Sequence, residues 1–434
     1  MKLGIISLGC AKNLVDSELF LGLAKKYGLE ITNKIKDADI IAINTCGFIL
    51  PAKQESIDTI IEMLDYQKDG KIIIVMGCLV ERYLNELKQE IPEVDYFIPI
   101  KDYDNLDKIF SKITSTNLSE HLEYTSRIIA TNKGAGYLRI GEGCNNRCAY
   151  CAIPLIRGNY VSRTFDSLIS EAKYLAENGV VELTLIAQDT TRYGSDMKDM
   201  SLAKLLKALE GLNLFKVIRV LYLYPDEITD ELIKVMTTSN VIVPYFDIPI
   251  QHASNKILKA MNRRGTKEEL YTLFEKIRSS NPDAVIRTTL IVGFPGETNE
   301  DFKELLNLVN DIKFDHLGVF EYSDEDDTKA FHMTPKITDE VKHERFEKIM
   351  TTQQKISLEK NTQLVGKTFE SLLVKPLNTD TYLFRAYFEA PDDSDGYIKV
   401  KINDKNNLIM GEYYKVKITK AMPCLLYTSP SPRD

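Results

Sequence analysis

Three cysteines within eight positions restrict this chain more than any other feature. Cys144, Cys148 and Cys151 stand at C-x3-C-x2-C in Gly141-Glu142-Gly143-Cys144-Asn145-Asn146-Arg147-Cys148-Ala149-Tyr150-Cys151, directly after a strand-like run at 137–140. Thiolates this close on one loop suit an iron–sulfur cluster, whose usual protein ligands are cysteines. Three ligands leave one iron of a four-iron cluster without a protein ligand, and an open metal position implies a bound substrate or cofactor. A zinc knuckle and three unrelated buried thiols are the blander readings. No His or Cys follows soon enough to close a zinc site.

At 434 residues, 44% of them hydrophobic and 27% charged, the chain is expected to be soluble and globular, with two to four domains. No apolar run approaches the roughly 18–20 residues of a membrane span. Met1-Lys2-Leu3-Gly4-Ile5 enters a strand with no signal-peptide pattern, so a cytoplasmic location without a membrane partner is expected. Seven cysteines in such a chain point to metal or catalysis rather than disulfides. The net charge of −8 weighs against a large nucleic-acid footprint.

Over residues 1–130 three apolar runs, at 3–8, 39–44 and 71–76, read as buried parallel strands. Amphipathic helical stretches at 14–27, 52–64 and 79–89 alternate with them. That rhythm predicts an open parallel sheet with helices on both faces. Cys10, Cys46 and Cys78 each follow one of these strands. The carboxyl ends of parallel strands share one edge, where ligands bind, so three distant cysteines can converge there. Each alone could be a small buried hydrophobe. Three at equivalent positions favour a second three-ligand cluster, with Gly9 and Gly77 allowing close backbone approach.

From 131 to 355 the alternation continues, with strands expected at 137–140, 182–187, 217–223, 245–250, 285–292 and 316–321. The expected class is α/β with a partial (β/α)6 barrel, its chemistry at the carboxyl ends of the strands. Gln188-Asp189, Tyr224-Pro225-Asp226-Glu227, Gln251-His252 and Gly293-Phe294-Pro295-Gly296-Glu297-Thr298 fall there, although each could be ordinary turn chemistry and His252 alone reads as structural. A charged helix at 338–364 leads to strands at 368–375, 382–389, 396–402 and 413–419, which fit a small β-barrel at 366–422. Residues 366–420 carry nine Lys or Arg against eight Asp or Glu, Asp392, Asp393 and Asp395 among them, which is not the basic surface of a tRNA-binding module. The segment 423–434 breaks the pattern and is expected to be a non-native tail, with Cys424 given no role.

The cysteine spacing, with Tyr150 before the last cysteine, is the signature of radical S-adenosylmethionine enzymes. Ala152-Ile153-Pro154-Leu155-Ile156-Arg157-Gly158 and Ser162-Arg163 narrow the likeness to their methylthiotransferases. Gly9-Cys10-Ala11-Lys12-Asn13 with Asp16-Ser17-Glu18, Asn44-Thr45-Cys46-Gly47 and Gly77-Cys78-Leu79-Val80-Glu81-Arg82-Tyr83 resemble the N-terminal part of the same family. The resemblance implies two 4Fe-4S clusters: one on Cys144, Cys148 and Cys151, the catalytic set, and an auxiliary one on Cys10, Cys46 and Cys78. It also implies S-adenosylmethionine, as radical source and methyl donor, near Tyr150, Gln188, Asp189 and Gly293, and a C-terminal domain of the TRAM type. The family usually has glycine where Asp327 stands, so a changed loop is expected there.

The start of the chain resembles the branch that modifies ribosomal protein uS12, forming 3-methylthioaspartate. The implied partners are uS12 or the small ribosomal subunit and a flavodoxin- or ferredoxin-type electron donor. The alternative is methylthiolation of a tRNA adenosine. A third reading is a non-enzymatic RNA- or ribosome-binding protein with structural clusters, but a structural cluster would normally be fully ligated.

Overall fold

The computed structural model describes residues 1–391, 395–401 and 408–422, so Asp392, Asp393 and the expected tail with Cys424 lie outside it. It begins with a five-stranded parallel sheet of β1 (Lys2–Ser7), β2 (Glu30–Ile31), β3 (Ile40–Thr45), β4 (Ile72–Gly77) and β5 (Tyr96–Ile98), in the order β2-β1-β3-β4-β5. Every residue of β3 is buried, as the continuous apolar run of a strand covered on both faces requires. Ile40 and Ala42 face α1 (Ala11–Lys26), while Ile41 and Ile43 face α2 (Leu50–Leu64) and α3 (Cys78–Glu90). The strands β2 and β5 are too short for an apolar pattern to announce them. Helix α4 (Leu106–Thr114) completes this unit.

Next come β6 (Ala135–Arg139), a two-residue ribbon of β7 (Gly141–Glu142) with β8 (Val161–Ser162), and between them α5 (Ile153–Arg157). The remaining strands are β9 (Glu182–Ile186), β10 (Val217–Val220), β11 (Tyr245–Asp247), β12 (Val285–Val292) and β13 (His316–Glu321). They form two parallel three-stranded sheets, β10-β9-β6 and β11-β12-β13. The bridge between Ile218 and Ile242 and the bond from Leu223 N–H to Asp247 O, 2.8 Å, join the two into one six-stranded partial barrel.

Alternate residues such as Leu183, Leu185, Ile218 and Val220 face the outer helices α6 (Phe165–Glu177), α7 (Leu202–Gly211), α8 (Asp230–Thr238), α9 (Asn255–Ala260), α10 (Lys267–Ser280) and α11 (Asn299–Ile312). The inward row is filled from elsewhere. Tyr137, Ile186, Leu221, Val243, Tyr245 and Val285 pack against Ala11, Val15 and Leu19 of α1 and against Ala390. Helix α1 is therefore buried nearly all round, not only on the apolar stripe that its sequence displays. Glu18 on it pairs with the fully buried Arg127 at 3.1 Å, which also meets Glu171 of α6 at 3.3 Å.

Helix α12 (Asp339–Thr362) leads to an antiparallel sheet of β14 (Thr368–Pro376), β15 (Thr381–Arg385), β16 (Ile398–Lys401) and β17 (Tyr413–Lys417), in the order β16-β15-β14-β17. This curled sheet is consistent with the small barrel expected. The strand expected at 382–389 stops at Arg385, where the Ala386 N–H donates to the Glu389 carboxyl Oε2 and the chain turns under the barrel. Arg385 and Arg219 share Glu182 at 2.7 and 3.3 Å, and Asp395 meets Arg287 at 3.3 Å, so charged groups plug the lower end. No helix among the described residues is long and apolar enough to cross a membrane.

Candidate functional site

At the carboxyl edge of the N-terminal sheet, Cys10 is the N-cap of α1, Cys46 follows β3, and Cys78 opens α3 directly after β4. One side chain ties these ends together. Asn13 Nδ2 donates to Leu8 O at 3.1 Å and to Thr45 O at 2.9 Å, while its Oδ1 accepts from the Cys78 thiol at 3.3 Å. The Cys46 amide donates to Ser56 Oγ at 3.0 Å. Gly77 has φ 100°, and a Cβ there would sit 2.2 Å from Asn44 Oδ1. Its glycine thus serves the close approach of two strand ends, a nearer cause than the cluster contact expected from sequence.

The second set is held by local turns. The ribbon of β7 and β8 brackets the loop, Cys144 N–H donates to Gly158 O at 3.1 Å, and Cys151 N–H to Cys148 O at 3.0 Å. Ala149 is pinned from both sides, donating to Met261 O and accepting from Ala330 N–H, each at 2.8 Å. Arg263 reaches the same place, with Nη1 3.9 Å from Cys148 Sγ and 3.5 Å from the Tyr150 hydroxyl.

Both sets line one cavity of about 290 Å³ between the N-terminal sheet and the barrel top. Arg157 lines it with Asp16 behind, 2.8 Å away, and Arg157 also donates to Asn13 Oδ1 at 2.8 Å. Burial alone would raise the Asp16 carboxyl, but Arg139 and Arg157 outweigh it and hold it below its usual range. Burial pushes the Cys144 thiol up to about 11 and raises Cys46, Cys78 and Cys151 too, so iron must displace protons to bind there. On the far wall Glu325 is buried against Lys53 of α2 at 2.8 Å and Arg82 of α3 at 3.1 Å, clamping the 323–327 loop to the N-terminal unit. Asp327 in that loop has φ 64°, a left-handed conformation that Asp tolerates and glycine takes readily.

No three His, Cys, Asp or Glu side chains among the described residues surround a point suited to a single metal ion. A four-iron cluster is a larger body, and its thiolates need only face a common space, which these two sets do. The lining also fits a polar cofactor. Gln188 Oε1 and the Tyr224 hydroxyl line the cavity, buried and without a hydrogen-bond partner among the described residues, while Gln188 Nε2 is fixed by Glu142 at 2.7 Å.

The other residues singled out from sequence lie as follows. Tyr150 lines the cavity. Asp189 stands behind Cys144, accepting from Asn146 at 2.7 Å, with burial raising its carboxyl. Gly293 is not on the lining, and its N–H is taken by the Glu297 carboxylate. His252 is fully buried, with Nδ1 accepting from Ser254 N–H at 3.0 Å. Sequence reasoning assigned no role to Lys12, Asn13 or Asp16. The available signal was their place in the first motif on a helix whose polar positions are buried.

Comparison with known proteins gives the family and the fold. Residues 138–309 match the radical SAM superfamily, and residues 2–99 match the uncharacterized protein family UPF0004. The chain is 48% identical over 433 residues to the ribosomal protein uS12 methylthiotransferase RimO of Clostridioides difficile, covering 97% of each chain. It is 46% identical to the protein of the same name from Caldicellulosiruptor saccharolyticus, over 97% of this chain and 98% of that one. Among solved structures it is similar in fold to the radical S-adenosylmethionine methyltransferase TsrM from Kitasatospora setae. That likeness has a TM-score of 0.56 at 12% identity and covers 88% of this chain and 80% of TsrM. The cobalamin-dependent enzyme OxsB matches with a TM-score of 0.51 at 13% identity, over 82% of this chain and 56% of OxsB.

Proposed function

The chain belongs to the ribosomal protein uS12 methylthiotransferase family, and on that premise we propose that it places a methylthio group on the β-carbon of a uS12 aspartate. The observation that carries this reading is the meeting of two three-cysteine sets, from two different sheets, around one cavity. Cys144, Cys148 and Cys151 would hold the cluster that meets S-adenosylmethionine, and Cys10, Cys46 and Cys78 a second one. When bound, these groups would supply an electron, radical chemistry at an unactivated C–H bond, a sulfur atom and a methyl group.

The chain's own work is to orient and to seal. The orphaned Gln188 carbonyl oxygen and Tyr224 hydroxyl are placed to accept or donate to a polar ligand. Tyr150 and Arg263 form the wall beside Cys148. Asp16 and Arg157 hold the two cysteine edges in one frame, and the Glu325 clamp keeps bulk water from the far wall. Asp189 would act through the Cys144 loop, and Gly293 through the turn that Glu297 fixes. An electron donor of flavodoxin or ferredoxin type would supply the reducing equivalent.

The tRNA reading gains nothing from the relatives above, and the C-terminal segment is nearly balanced in charge. Mass spectrometry of uS12 and of tRNA after incubation with reconstituted protein, dithionite and S-adenosylmethionine tests the assignment. A methylthio group on uS12 alone is expected; one on tRNA alone would overturn it.

A further inference from the structure

The cavity contains four long cations, and three of them are already engaged. Arg157 pairs with Asp16, Arg287 lies 3.4 Å from Asp247, and Arg263 donates to Pro249 O at 2.7 Å. Lys12 differs. It is 9% exposed, lines the cavity, and makes no ion pair among the described residues. Its Nζ lies 3.5 Å from the centroid of the Tyr222 ring.

That ring is a fixed support. Tyr222 has φ 63°, a left-handed conformation that a bulky residue rarely adopts, and its backbone is tied on both sides. Its N–H donates to Asp247 Oδ2 at 2.8 Å and its carbonyl accepts from Thr190 Oγ1 at 2.9 Å. Strain of this kind persists only where the surroundings impose it, and it collects at functional sites. A buried ammonium held over an aromatic face keeps some electrostatic support, and the charge of Asp247 reaches it, yet Asp247 is paired with Arg287 and no carboxylate among the described residues pairs with Lys12 directly.

We propose that Lys12 binds the side-chain carboxylate of the substrate aspartate, so that this ammonium selects an acidic residue for modification. The proposal rests on the uS12 reading above. Lys12 follows Cys10 by two positions, and Tyr222, Cys10, Arg157 and the Asp247 carboxylate are the groups that act on it, so it belongs to the Cys10, Cys46 and Cys78 end of the cavity. The cation beside Cys148 and Tyr150 is Arg263. A carboxylate on Lys12 would bring its neighbouring C–H bond into the space that both cysteine sets face.

Reconstituted enzyme is titrated with uS12 and with a uS12 variant carrying Asn at the target aspartate. Wild-type enzyme should prefer the aspartate form by about 10- to 100-fold, the range of a buried charge-assisted contact. Lys12→Met, which keeps the apolar stem, should bind the two forms nearly equally at wild-type iron content and with unchanged affinity for S-adenosylmethionine. Lys12→Arg should retain part of the preference. If Lys12→Met fails to load iron, Lys12→Gln takes its place. An intact preference in the Met or Gln variant overturns the proposal. So does an intact preference with weakened S-adenosylmethionine binding, because the carboxylate read would then be the cofactor's. If wild-type enzyme neither binds nor modifies uS12, the functional reading fails, and the proposal with it; efficient modification of uS12 by Lys12→Met removes Lys12 alone.

Discussion

The two cysteine sets are built by opposite means. Cys144, Cys148 and Cys151 sit on one short loop, shaped by backbone bonds to Gly158, Met261 and Ala330. Cys10, Cys46 and Cys78 come from three strand ends, and their common edge depends on sheet order, on Gly77 and on one buried asparagine. A local set has its thiols brought together by its own loop, and the distant bonds only steady it. A distributed set needs a folded sheet before any two of its thiols are neighbours, so its integrity depends on the whole N-terminal unit.

The sharpest break in this comparison is a pair of single substitutions. Cys148→Ala should abolish 5′-deoxyadenosine formation, whereas Cys46→Ala should leave that cleavage intact and abolish methylthiolation. Each should lower the iron content from about eight to about four per chain, since each removes a ligand of one four-iron cluster. Loss of cleavage in Cys46→Ala would merge the two sets into one function.

Asp16→Asn comes next, because Asp16 is buried against Arg139 and Arg157. Leaving buried guanidinium groups short of their counter-charge costs about 3–5 kcal/mol. Urea unfolding should show that loss, and iron should fall at both sets, since Arg157 reaches Asn13 and Cys78 as well as Glu142 of the loop ribbon. Asn13→Ala should be milder, about 1–3 kcal/mol for each buried group left unpaired. It should lower auxiliary iron while 5′-deoxyadenosine formation persists; equal iron loss from both sets would contradict the separation.

The effect with the least bearing on iron lies away from both sets. Burial, with Asp395 nearby, pushes the Glu389 carboxyl up to about 8 from an ordinary 4.5. The folded chain thus retains a proton that the unfolded chain releases, and stability should fall as pH rises from 4.5 to 8, then level off. Glu389→Gln should flatten that slope, at about 1.4 kcal/mol per pH unit at most, with iron content unchanged. Denaturant midpoints at pH 6 and 8.5 measure it.

Much of this was legible in the chain. The local set is readable because its spacing is itself the geometry. The strand-end positions of Cys10, Cys46 and Cys78 are readable through a topological rule, since parallel strands present their carboxyl ends together. Other features were not. Periodicity marks one apolar stripe on α1 and cannot show that the helix is covered on its polar side as well, where Lys12, Asn13, Asp16 and Glu18 are all buried. Nor does a run of alternating residues at 382–389 reveal that the strand ends at Arg385, where the guanidinium finds Glu182 203 positions away.

The sequence by itself determined the βα rhythm, the three-thiol loop and the family, because each is written in short-range pattern. The tertiary structure alone decided that α1 fills a barrel it does not belong to, that the two cysteine sets face one cavity, and that Lys12 stands there without an ion pair among the described residues. The physical reason is that burial and charge pairing are set by what packs against a residue. Here the partners of Asp16, Glu182 and Lys12 lie far along the chain.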